Sequence, residues 1–127
     1  MDYVNVLAAA VAAWIWGVVW YALAAKPWAE AAGIADREPG VERKIGMIVS
    51  LVALLLVAGM MRHMFNEAGI GAVGKGALAG AGIGLFIVTS FLAMNHYWAA
   101  RPVKLTLIDG IHATVGCGII GVLLTAF

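Results

Sequence analysis

The chain has 127 residues, 64% of them hydrophobic and only 12% charged, with a mean hydropathy of +0.97. A soluble domain is about half apolar and about a quarter charged, so this composition excludes one and predicts a single integral membrane domain over residues 1–127. The net charge of +1 leaves no basic patch for a nucleic acid.

The first apolar segment runs from Val4 to Ala25. The stretch "MDYVNVLAAAVAAWIWGVVWYALAA" lacks a basic leader region and carries bulky rings where a cleavage site places small residues. It reads as a retained first span rather than a removed signal. Trp20, Tyr21 and Trp28 suit the headgroup level, where amphipathic rings concentrate. Trp14 and Trp16 lie deeper, where an indole N–H finds no water and needs a protein acceptor. Ala9, Ala13 and Gly17 form a small-residue stripe. Pro27 stops the helix.

Residues 26–44, "KPWAEAAGIADREPGVERK", form the longest connection and hold eight of the fifteen charged residues. A short helix lying on the membrane surface is expected near Pro27–Gly33. The second span, Ile45 to Met61, is the shortest, and Arg43, Lys44 and Arg62 at its flanks can snorkel. The third runs from Val73 to Trp98. In it Gly76, Gly80 and Gly84 recur every four residues, a pattern that admits close approach of another backbone. Continued at helical spacing, this stripe passes Ile87 and Phe91 and reaches Asn95.

The fourth span, Leu105 to Phe127, carries Gly110, Thr114, Cys117, Gly118 and Gly121 on one face. Packing inside the chain is the ordinary use of such stripes, and a homodimer seam is the alternative. Asp109 and His112, three residues apart, share a different face with Gly116. Asp109 lies about 6 Å inside the span. An ionised carboxylate at that depth needs a partner, so Asp109 and His112 read either as a helix–helix hydrogen bond favoured by the nearby helix N-terminus or as a proton-coupled pair. Spans of this length are helices, because the backbone must satisfy itself in lipid.

Lys and Arg set the orientation. The first and third connections hold Lys26, Arg37, Arg43, Lys44, Arg101 and Lys104, against Arg62 and Lys75 on the other side. This bias places those connections in the cytoplasm and both termini outside. Depth then gathers Trp20, Tyr21, Asn95, His96, Asp109 and His112 beneath the cytoplasmic interface, with Ser50 at the same level. A haem held by His96 and His112 is disfavoured, because the two are not matched at mid-membrane depth. Nothing in the spacing of His96, Asp109 and His112 demands a metal. No cofactor is expected. His63, beside Arg62, reads as a solvated loop residue.

"GVVWYALAAKPWAEAAG" resembles the first-helix signature of a bacterial membrane family catalogued as domain of unknown function 1761, in which a glycine and a Trp-Tyr pair precede a short spacer and Lys-x-Trp. "LTLIDGIHATVGCGIIGVLLTAF" is similar to that family's last helix, with a departure at His112, where a tyrosine is more usual. The resemblance covers nearly the whole chain. It implies a four-span membrane fold and no known activity, and so carries no catalytic residues.

The expected architecture is an all-α bundle of four transmembrane helices in a bacterial inner membrane. Two functions compete. One is a small oligomeric transporter or channel-like protein built around the Asp109–His112 site. The other is an accessory subunit that packs against a larger membrane complex. No nucleophile, base and orienting group converge in the sequence, so an enzyme is not expected.

Overall fold

The computed structural model describes residues 2–36 and 41–127. Every regular element among them is helical. In chain order they are α1 (Asp2–Leu23), α2 (Ala25–Ala32), α3 (Val41–Ala68), α4 (Val73–Gly82), a π-helical turn (Ile83–Val88), α5 (Thr89–Trp98) and α6 (Val103–Ala126). The segments α4, π turn and α5 run on as one rod. Four helices are therefore long and apolar enough to cross a membrane: Tyr3–Leu23, Arg43–Ala68, Val73–Trp98 and Val103–Ala126. Each is about 30 Å long or more, the thickness of the hydrocarbon core.

The first, third and fourth segments lie close to where hydropathy places them. The second does not end at Met61. It continues through Arg62, His63 and Asn66 to Ala68. Hydropathy falls there while the helical backbone persists, so His63 is an exposed helical residue and not part of a loop.

The break after α1 follows from one proline. A proline ring clashes with the carbonyl four residues earlier. For Pro27 that residue is Leu23, the last of α1. Ala24 leaves helical geometry at φ −99°, ψ 12°. Pro27 then sits in the first turn of α2, where its missing N–H has no intrahelical partner to lose. This α2 is the short helix expected near Pro27–Gly33. It ends on Gly33 at φ 76°, with the Ile34 N–H on the Ala29 carbonyl at 2.9 Å and the Gly33 N–H on the Glu30 carbonyl at 3.2 Å. That pair of bonds is a Schellman closure.

Packing is organised around α6. It makes its broadest contact with α4, then with α1, while α3 lies along α1 and meets α6 only lightly. The core joins Ala9, Ala10 and Ala13 of α1 to Ala58, Met61 and Phe65 of α3 and to Cys117, Ile120 and Leu124 of α6. It occupies the half of the molecule away from α2. Alanines on α1 let its neighbours approach closely.

Against α4, α6 packs backbone to backbone. A Cβ at Gly76 would strike the Gly121 carbonyl and the Thr125 side chain. One at Gly80 would strike the Cys117 carbonyl, and one at Gly84 the Ala113 carbonyl and the Thr114 Cα. In the other direction, a Cβ at Gly121 would strike the Gly76 carbonyl. A Cβ at Gly118 would meet Ala81 only in ordinary van der Waals contact, at 3.8 Å. The glycine stripes are thus used inside the chain.

Candidate functional site

Indole N–H groups fix the height of α1 against its neighbours. The Trp16 Nε1–H donates to the His112 carbonyl and the Trp20 Nε1–H to the Ile108 carbonyl, each at 3.0 Å. Both pairs are spaced by four residues, so antiparallel helices match them rung by rung. The two indoles stack, with centroids 5.6 Å apart and planes at 22°. Trp14 does the same on the other side, donating to the Met47 carbonyl of α3 at 3.0 Å. These helix carbonyls keep a second lone pair for an outside donor. The deep tryptophans thus find the protein acceptors that burial demands.

This register places Tyr21 over α6. Its hydroxyl donates to Asp109 Oδ1 at 2.6 Å, the length of a charge-assisted O–H···O⁻ bond. The other carboxylate oxygen, Oδ2, faces His96 Nε2 at 3.4 Å. That is ion-pair range but longer than a good N–H···O bond. The opposite ring nitrogen, His96 Nδ1, lies 2.8 Å from Thr106 Oγ1. Tyr21, Asp109, His96 and Thr106 thus follow one another across α1, α6 and α5, joined by hydrogen bonds at both ends and by an ion-pair contact between Asp109 and His96. The His96 and Asp109 side chains are 15% and 17% exposed, so the pair is withdrawn yet reachable.

His112 belongs to the same cluster through its ring. It packs on Tyr21 at a centroid distance of 4.9 Å. Tyr21 in turn receives Trp28 of α2 edge-on at 5.6 Å. Room for His112 comes from Gly17, where a Cβ would lie 2.9 Å from His112 Nε2. Gly116 accommodates the Trp16 indole, with 3.5 Å between its would-be Cβ and Trp16 Cδ1.

Of the expected cluster, Trp20, Tyr21, His96, Asp109 and His112 converge, and Asn95 does not. Asn95 is exposed and makes no side-chain hydrogen bond among the described residues. Ser50 is exposed too and bonds the Gly46 carbonyl of its own helix at 2.8 Å. The reason for Asn95 is the π turn. A straight helix overshoots a full turn by about 40° at each i to i+4 step, so it carries the Gly76–Gly80–Gly84 stripe on to Ile87, Phe91 and Asn95. The π turn inserts about one residue into that rotation. Ile87, Phe91 and Asn95 are consequently exposed, while Val88, Leu92 and His96 turn toward α6.

The turn has a visible anchor. The Gly84 carbonyl accepts the Thr89 backbone N–H and, at 2.7 Å, the Thr89 hydroxyl. The Thr89 methyl then rests on Gly110, where a Cβ would lie 2.8 Å from it. Sequence reading did not reach Thr89 or Thr106. For Thr106 the signal was present: it precedes Asp109 by three residues and so shares its face.

Asp109 lies six residues beyond the first residue of α6, about 9 Å along the axis. The helix-dipole effect fades within the first turn. Asp109 is therefore held by Tyr21 and His96, not by the end of its own helix. Among the described residues no three His, Cys, Asp or Glu side chains come together as metal ligands.

A family model described as "Protein of unknown function (DUF1761)" matches residues 4–125. The chain belongs to this family. For this DUF1761 chain the match covers every helix that bears on the cluster, from Trp16 to His112. Comparison with curated proteins gives no match, and neither does comparison with solved structures.

Proposed function

We propose that this DUF1761 protein is a small oligomeric transporter or channel-like protein, and that Tyr21, Asp109 and His96 form its proton-handling site. The observation that carries this reading is the carboxylate of Asp109, set within a span between two titratable partners at 2.6 and 3.4 Å. Ionisable groups inside membrane spans are costly and mark ion or proton pathways by default. His96 suits the role. With Thr106 donating to Nδ1, Nε2 carries its proton toward Asp109. When doubly protonated, the ring donates to both. Either state keeps the Thr106 contact and leaves the Asp109 carboxylate within ion-pair range, so the ring changes protonation without repacking. No bond to substrate is made or broken in this reading, and no catalytic residue is assigned.

The excess of Lys and Arg on the first and third connections supports placing α2 and the cluster at the cytoplasmic face of a bacterial inner membrane, with both termini outside. Four spans, with α6 packed between α1 and α4 and α3 lying outside on α1, enclose little on their own, which favours a second copy to complete a pathway. The test is proton and solute flux in proteoliposomes. Wild-type flux above empty liposomes is expected, with Asp109→Asn and His96→Ala reducing it at least tenfold. Wild-type flux equal to empty liposomes ends this reading.

The accessory-subunit reading rests on a different observation. Each deep indole is committed to a helix carbonyl, which suits a rigid packing unit. Stoichiometric co-purification of a larger membrane partner, together with absent flux, would favour it.

A further inference from the structure

Beside the cluster, on the far side of Trp20, a groove of about 320 Å³ runs between the end of α1, the start of α2 and the first turns of α6. Leu23, Ala24, Leu107, Ile108 and Ile111 line it with Trp20, and Lys104 is its one charged residue. Its volume is at the small end for a ligand site, enough for part of one chain rather than a whole amphiphile.

We propose that this groove seats the headgroup-proximal part of one acyl chain of an anionic phospholipid, with the lipid phosphate on Lys104. Three features carry this assignment. The walls are apolar and formed by helices of membrane-spanning length, so hydrocarbon is the matching occupant. The groove extends from Lys104 to Ile111, about 10 Å along α6, which joins a charged rim to an apolar depth in the way a phospholipid joins headgroup to tail. Lys104 is exposed and has no ion-pair partner among the described residues, and no acidic residue lines the groove. The indole of Trp20 cannot swing to close the groove without breaking its bond to the Ile108 carbonyl. The Trp20 wall of the groove is thus fixed. This assignment does not depend on transport.

Native mass spectrometry of the detergent-purified chain tests it, with phosphatidylglycerol and phosphatidylcholine of identical acyl chains titrated separately. Wild type is expected to retain phosphatidylglycerol preferentially, and Lys104→Gln to weaken that retention about fivefold, as expected for one cation near an anionic headgroup. Leu107→Trp, which fills the groove, is expected to weaken binding of both lipids. Lys75→Gln, at the opposite end, is expected to change neither. Equal retention of the two lipids by wild type, or retention unaltered by Lys104→Gln and Leu107→Trp in variants that melt like wild type, overturns the proposal.

Discussion

Ala100 takes φ 57°, in the left-handed region that costs an L-residue about 1–2 kcal/mol. It is held there by the closure of α5. The Arg101 N–H donates to the His96 carbonyl at 2.8 Å and the Ala100 N–H to the Tyr97 carbonyl at 3.0 Å. The backbone of His96 is thus tied down by the same turn that leads into α6. The Arg101 guanidinium lies against the Gly33 Cα and so joins this turn to the end of α2. Glycine adopts this φ without the Cβ penalty. Ala100→Gly is therefore expected to stabilise the fold by about 1 kcal/mol, less the added freedom of the unfolded chain. Thermal unfolding in detergent checks it, and a lower melting temperature would count against the assigned geometry. None of this is legible in the sequence, because alanine gives no sign of a left-handed turn.

At the scale of elements, the contact of α4 with α6 has no side chains to spare. Gly80 faces the Cys117 carbonyl, a backbone atom that cannot rotate away. Gly82, two residues on, has nothing within 4 Å of its would-be Cβ. Gly80→Ala is expected to force the helices apart and cost about 1–3 kcal/mol, the usual range for overpacking. Gly82→Ala is expected to be neutral or slightly stabilising, since alanine is the better helix former. Unfolding of the two variants side by side distinguishes this from a general intolerance of change in the span. The glycine stripe was readable from its spacing, and so were four helices of membrane-spanning length and the short helix α2. What spacing did not contain was the π turn at Ile83–Val88. Periodicity assumes a constant rotation per residue, so one inserted residue turned Asn95 away from the site and left His96 facing it. The length of α3 escaped for a related reason: hydropathy reports where lipid ends, not where a helix does.

For the molecule as a whole, the cluster exists because three helices agree in height. Trp16 and Trp20 set α1 against α6, the π turn sets α5 against α6, and Tyr21 and His96 then meet Asp109 from either side. Trp20, Tyr21, His96, Asp109 and His112 were legible from depth alone, since residues at matching heights in antiparallel spans share a layer. The joining of Tyr21 to Asp109 was not, because depth says nothing about facing. The most direct test is a double-mutant cycle on that bond, measured by unfolding in bicelles with Tyr21→Phe, Asp109→Ala and the pair. A short charge-assisted hydrogen bond predicts a coupling of about 1–2 kcal/mol between the two positions. Additivity of the two losses within about 0.5 kcal/mol would contradict it and leave Asp109 without the partner on which the site depends.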